Sequence, residues 1–377
     1  MRKTVRLGLL AVAAASTLAF ASSALAAYAP KLLITRSDEV TSIKFSQTDA
    51  DDATARVQIL APAGYSGGFV QPAGTNIGTL EGSVIAGAFG GATVPVAGTI
   101  VAGDPTNAAL MAAAEQCTGS ATHAAIWLLN VTAAGQSLPD PVPVYLDPVA
   151  TPPFNAFASA SIQLCLPAPP AASFQIKLLE ASLNVGNTLG IFTPATPGDY
   201  RWTAINTPYK SDNSGVNAAG TVETQAIDSA PVQASIATKR TTTTRRVKHK
   251  RFTDIFYSYN VRMSGTLQAG GHPVAGATVD IISGSDTKIG EATTNNNGTF
   301  TKTFKLSRTS SYHLVFNKDA EPLVGASCVP PLPLIPGVNM PCASVTSGGQ
   351  HATTEERRVV KPKLTHKRIK NKKKGGK

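Results

Sequence analysis

The chain has 377 residues and a formal net charge of +11, with 42% hydrophobic, 6% aromatic and 15% charged residues. That composition excludes a wholly disordered chain, a coiled coil and a collagen-like repeat, and the length suggests about two to three domains. The excess of Lys and Arg (34) over Asp and Glu (23) points toward an anionic partner but names no reaction.

Residues 1–26 read as an export signal. Arg2, Lys3 and Arg6 precede an apolar run from Leu7 to Phe20, and Ala24-Leu25-Ala26 offers the small residues of a cleavage site. The run is too short and too Ala-rich for a lasting membrane helix. The expected mature chain starts at Ala27, outside a bacterial cytoplasm, secreted or held at the cell surface.

Residues 27–238 are predicted to form an N-terminal β-sandwich domain. Candidate strands are Lys31–Thr35, Val40–Phe45, Ala55–Leu60, Gly78–Ile85, Thr93–Val101 and Ala124–Val131. Others are Pro143–Leu146, Ala158–Leu166, Phe174–Val185, Tyr200–Asn206 and Val222–Ile227. Short apolar runs punctuated by Pro and Gly clusters are the pattern of a sandwich or barrel. In ARVQIL, Ala55, Val57 and Ile59 point one way and Arg56 and Gln58 the other, as in a half-buried strand. One helix is expected, capped by Asp104 with Pro105 in its first turn and running over Asn107–Gln116 to Gly119. Leu110, Ala113, Ala114 and Cys117 share its apolar face.

Two local motifs suggest chemistry. Gly64-Tyr65-Ser66-Gly67-Gly68 matches a nucleophile elbow, but Pro72, Gly74 and Gly78 oppose the helix that must follow. A hydrolase here would use Ser66 with Asp104 or Glu115 and His123; a surface turn is the preferred reading. Asp49, Asp51 and Asp52 could face Ca²⁺, yet no Gly or further carboxylate follows at loop spacing, so a solvated turn is preferred. No metal and no cofactor are expected.

The four cysteines allow three connectivities. Sequence proximity favours Cys117–Cys165 and Cys328–Cys342, one pair in each region.

Charge is segregated along the chain. Residues 28–238 carry 7 basic and 15 acidic residues, and residues 252–356 carry 6 and 8. Residues 239–251 carry 7 basic and no acidic residues, and residues 357–377 carry 11 and none. Like-charge repulsion and four successive Thr predict that 239–251 is an extended, exposed basic linker. Residues 346–377 are expected to be a disordered basic tail.

Residues 252–345 form the second predicted domain. Strands are expected at Ile255–Tyr259, Arg262–Leu267, Thr278–Ile282, Gly290–Thr294, Phe300–Leu306 and Tyr312–Phe316. Phe300, Lys302, Phe304 and Leu306 share a face, which leaves the facing of that strand open. Asn295-Asn296-Asn297-Gly298 is a hairpin turn, since Asn and Gly accept positive φ at small cost. Cys328 and Cys342 bracket a Pro-rich, disulfide-closed loop.

The order Ser264-Gly265-Thr266-Leu267, Pro273-Val274-Ala275-Gly276-Ala277-Thr278-Val279, Asn297-Gly298-Thr299-Phe300 and Tyr312-His313-Leu314-Val315 resembles bacterial Ig-like and carboxypeptidase-regulatory-like modules. The resemblance covers residues 252–320. It implies a seven-stranded, transthyretin-like sandwich used as a spacer or adhesion module, and it implies no catalytic residues.

The reading that results is an all-β protein of two β-sandwich domains, exported, non-enzymatic and structural or adhesive. Lys367, Arg368, Lys370, Lys372, Lys373, Lys374 and Lys377 are the residues expected to touch an anionic envelope polymer or lipid. The alternative gives the N-terminal domain a carbohydrate, another extracellular ligand or a surface protein. Specific nucleic-acid binding is not expected, because the tail contains no aromatic residue for base stacking.

Overall fold

In a computed structural model, the described residues are 28–371, apart from 38, 66–67, 88–89, 168–175, 188, 191–193, 195–197, 285, 330–332 and 335–337. The export signal, Ser66 and Lys372, Lys373, Lys374 and Lys377 therefore lie outside the described residues.

Period-two alternation sets the first strands. In β1 (Lys31–Arg36) and β2 (Val40–Ser46), Leu32, Ile34, Ile43 and Phe45 turn inward and their neighbours outward. β3 (Thr54–Pro62), β4 (Asn76–Ala86) and β5 (Ala92–Ala102) lead into α1 (Ala108–Thr118). β6 (Ala125–Ala133), β7 (Gln136–Ser137), β8 (Val142–Pro148) and β9 (Ala158–Cys165) follow. β10 (Ile176–Gly186), β11 (Tyr200–Pro208) and β12 (Val222–Asp228) complete the region. Antiparallel pairing runs β12–β11–β3–β9–β8–β6–β5–β4–β10–β2–β1. This ladder folds over one core built on Leu32, Ile34, Val57, Ile100, Trp127 and Trp202. Both Trp are fully buried, as befits core rather than a sugar platform.

The helix starts later than expected. Asn107 caps it, its side chain accepting from the Ala109 and Leu110 N–H at 3.0 and 3.2 Å. Asp104 instead accepts from the Thr106 N–H at 2.8 Å, closing its own turn around Pro105. Gly119 ends the helix at φ 80°. Leu110, Met111, Ala114 and Cys117 pack on Ile126 and Tyr145, while Ala113 is exposed.

The second region contains β13 (Val232–Lys248), β14 (Phe252–Ala269), β15 (His272–Pro273), β16 (Thr278–Ser283), β17 (Thr287–Thr293), β18 (Thr299–Lys305) and β19 (Ser310–Lys318). It ends with β20 (Pro333–Leu334), β21 (Val338–Asn339), β22 (Cys342–Thr346), β23 (Gly349–Thr353), β24 (Arg357–Val359) and β25 (His366–Lys370). Its core lies between β13–β14–β18 and β17–β16–β19–β23, around Val261, Met263, Val279, Ile281, Leu314 and Phe316. Phe300 and Leu306 are buried there, and Lys302 reaches solvent between them.

Two segments depart from expectation. The basic segment 239–251 is no free connector, because residues 239–248 belong to a strand that pairs with β14 from Val232↔Ala269 to Lys248↔Thr253. Four β-branched Thr in a row suit a ladder, and the pairing outweighs the repulsion between neighbouring cations. Residues 346–371 are not a disordered tail either. β22 runs parallel to β12, β23 runs parallel to β1 and antiparallel to β19, and β25 pairs with β14. β22, β23 and β24 thus join the strands of the first region to β16, β17 and β19 in one continuous sheet, while β13, β14, β15, β18 and β25 form a separate one.

Glycine makes this crossing feasible. A Cβ on Gly348 would stand 2.4 Å from the Ile227 carbonyl oxygen, and one on Gly349 would stand 2.4 Å from Thr35 Oγ1. The disulfide loop also belongs to the junction. Val329 N–H donates to Gln225 Oε1 at 3.1 Å, and Met340 packs with Leu60, Ala158 and Ile205. This loop therefore docks on the first region.

Candidate functional site: a cationic strand arm

Beyond Asn260 the β13–β14 hairpin carries β25 as a third strand, with Phe252↔Lys370, Ile255↔Lys367 and Phe256↔His366 in register. The arm comprises residues 242–259 and 366–371. It gathers eight Lys and Arg against one acidic residue, Asp254. The two basic segments lie more than a hundred residues apart in sequence, and strand pairing alone makes them neighbours.

Directly opposed residues share a face. One face carries Arg245, Phe256 and His366 in a row, then Val247, Asp254 and Arg368. The other carries Arg246, Ile255 and Lys367, then Lys248, Thr253 and Ile369. On the first face the aromatics hold cations. Arg245 lies over Phe256 at 5.2 Å and Arg368 over Phe252 at 4.0 Å. His366 stacks on Phe256 at 4.9 Å, and His249 lies against Phe252 at 4.4 Å.

Asp254 is the buried anchor of the arm. Arg368 donates to both of its oxygens, Nε at 2.8 Å and Nη2 at 3.0 Å, and His366 Nε2 stands 2.9 Å away. His249 Nε2 stands 3.4 Å away. The Arg368 hydrogen bonds, which outweigh the opposing effect of burial, hold this carboxyl well below the usual carboxylate range. Arg245, Arg246, Lys248, Lys367 and Lys370 are exposed and have no acidic partner among the described residues.

Of the residues predicted to touch an anionic surface, Lys367, Arg368 and Lys370 lie on β25. Arg368 is committed to Asp254, so its charge is largely compensated. Sequence reasoning missed Arg245, Phe252, Asp254 and Phe256 as parts of this surface. The tail has no aromatic of its own, and strand pairing supplies two.

A second ion pair sits at the junction between the regions. The inward phase of Leu32 and Ile34 continues to Arg36, and that continuation is the sequence signal for a buried guanidinium. Arg36 is fully buried, with Nε 3.3 Å from Asp228 Oδ1, Nη1 donating to Tyr65 Oη at 2.9 Å and Nη2 donating to the Ser229 carbonyl. Tyr65 Oη donates to Asp228 Oδ2. Burial pushes Asp228 up to about 6, against the opposing pull of Arg36 and of the Tyr65 hydroxyl. Gly64, at φ 100°, turns the chain so that Tyr65 enters this cluster, with Trp202 edge-on at 5.0 Å. The elbow-like motif therefore contributes its tyrosine to the core, whereas its Ser66 lies outside the described residues.

His123 lies in a different setting from the one the sequence suggested. Its Nε2 is 3.0 Å from Thr118 Oγ1 and its Nδ1 is 2.6 Å from Asp147 Oδ2. Although the order hydroxyl, imidazole, carboxylate is that of a triad, Thr118 ends a helix, and its hydroxyl also meets the Ala114 and Ser120 carbonyls. Carbonyl oxygens and the negative helix end oppose an alkoxide at that point. The group acts as a clasp that ties the helix end to β8.

The acidic turn holds a lysine. Asp51 accepts from the Thr48 and Ala29 N–H at 2.6 and 2.7 Å, and Lys177 Nζ donates to the Asp49 and Asp51 carbonyls. No cluster of three or more metal-ligating side chains occurs among the described residues. An apolar cavity of about 290 Å³ lies in the first region, lined by residues such as Leu80, Val96, Leu129 and Leu178.

Both disulfides are formed, Cys117–Cys165 with Cα atoms 5.8 Å apart and Cys328–Cys342 with Cα atoms 5.6 Å apart. They tie α1 to β9 and close the junction loop. No helix among the described residues is long and apolar enough to cross a membrane. In comparison with known proteins, no family model matches this chain and no curated protein is similar to it.

Proposed function

We propose that this protein is exported, non-enzymatic and structural or adhesive, and that the arm holds it against an anionic polymer or lipid of the bacterial envelope. The observation that carries this reading is the gathering of eight Lys and Arg around a single Asp. Uncompensated like charges held on rigid strands repel one another, and an anionic partner relieves that repulsion. The two disulfides fit an oxidising compartment. Residues 252–320 serve as a spacer in this reading, in keeping with their resemblance to Ig-like modules.

Release from intact cells tests it. High salt should free the full chain, and a chain lacking residues 366–377 should fractionate into the medium at lower salt. Identical fractionation of the two would sink the reading.

A further inference from the structure

Resting on that reading of the arm, we infer that its partner is a base-free linear phosphodiester polymer of the polyol-phosphate class. The inference starts from how the free cations are arranged. Arg246, Lys248 and Lys367 lie on one face of the arm, and Arg245 and Lys370 on the other. All five are exposed and none has an acidic partner among the described residues.

A flat bilayer meets one face of a ribbon at a time and would leave the other face's cations in water. A flexible chain can pass around the edge and meet both. Along a strand, same-face residues repeat at about 7 Å, and neighbouring strands stand about 5 Å apart. A polymer with one phosphate per short repeat can therefore pair successive charges with successive side chains. Arg offers a planar fork suited to phosphate oxygens, and Lys offers a point charge. Phe256 and Ile369, the exposed apolar side chains on the paired strands, are only 38% and 43% exposed and lie on opposite faces, and the more exposed Val360 and Leu364 precede β25.

The rings decide between phosphodiesters. Single-stranded nucleic acid is held by bases stacking on open aromatic faces. Phe256 lies between Arg245 and His366, and Phe252 between Arg368 and His249. These rings already support cations, so a stacking base would have to displace Arg245 or Arg368. A phosphodiester without bases uses everything the arm presents.

The test measures binding of the full chain across a salt series to poly(glycerol phosphate), poly-dT, polygalacturonate, and vesicles of equal parts phosphatidylglycerol and phosphatidylcholine. Poly(glycerol phosphate) should bind tightest. Substituting Arg246, Lys248 and Lys367 together by Gln should weaken it about tenfold or more and lower the slope of log K against log salt by about 2. The pair Arg245→Gln and Lys370→Gln should lower the slope by about 1. These side chains are exposed, so the variants should keep the wild-type far-UV circular dichroism. Tighter binding to poly-dT or vesicles, equal binding to polygalacturonate, or insensitivity to either set of substitutions overturns the polymer assignment and leaves the arm as a general polyanion contact. Absence of salt-sensitive binding to all four overturns both readings.

Discussion

Asp228 at the junction and Asp254 on the arm are both buried against an arginine, yet their carboxyl groups shift in opposite directions. At the junction, Arg36 is enclosed with its aspartate, burial dominates, and Asp228 rises to about 6. On the arm, Arg368 is 57% exposed, hydrogen bonds dominate, and Asp254 falls well below the usual range. The guanidinium–carboxylate chemistry is common to both, so solvent access decides the sign. The junction keeps its charges for the fold. The arm spends one arginine on its own aspartate and leaves its other cations for a partner.

Breaking the junction pair should have the largest effect. Arg36→Ala leaves Asp228 buried without its cation and should cost about 3–5 kcal/mol in urea unfolding. Replacing both members, Arg36→Met with Asp228→Leu, should restore most of that loss. A single substitution costing under about 1 kcal/mol would remove the junction from this comparison.

A smaller loss is expected where the chain crosses between the regions. Gly348→Ala places a methyl group 2.4 Å from the Ile227 carbonyl and 2.9 Å from the Ser229 N–H, both backbone atoms. The resulting shift should cost about 1–3 kcal/mol and lower the unfolding midpoint.

The pH response should sharpen the contrast with the least global change. The raised Asp228 favours its protonated form in the fold. Its stabilisation is complete below the ordinary carboxylate value and is lost as pH rises through about 6. The depressed Asp254 works the other way. Its stabilisation is present above the ordinary value and is lost as pH falls through its lowered one. Hydrogen-exchange protection factors at residues 366–370, taken relative to the intrinsic rate at each pH, should therefore fall in acid. Asp254→Asn should lower them at neutral pH while leaving the Asp228 response in place. Unchanged exchange in that variant would show that backbone pairing alone holds β25.

Much of the local structure is legible in the residues. In ARVQIL the alternation predicts both the strand and the inward side chains Val57 and Ile59. The strand expected at Lys31–Thr35 is β1, which runs one residue further to the buried Arg36, and the two strands expected at Ile255–Tyr259 and Arg262–Leu267 are one continuous β14. The candidate site is less legible. Lys367, Arg368 and Lys370 announce a charge but not a surface, because the surface needs Arg245, Arg246 and Lys248 beside them. Residues 239–251 look like a linker from their repulsion alone, because the ladder that opposes it forms with β14 and not within the segment. Asp254 gives no local sign of its role, since its partners lie before it at His249 and far beyond it at His366 and Arg368.

By itself the sequence determined the all-β class, the core-facing phase of ARVQIL and the segregation of charge, since these follow from alternation and composition along short stretches. Proximity along the chain was enough to favour the cysteine pairing that the structure contains. Tertiary structure alone decided that the C-terminal segment threads between β1 and β12, that Arg36 meets Asp228, and that two distant basic segments become one arm. Those outcomes depend on which strand edges remain free once each core has closed, and no short stretch of sequence carries that information.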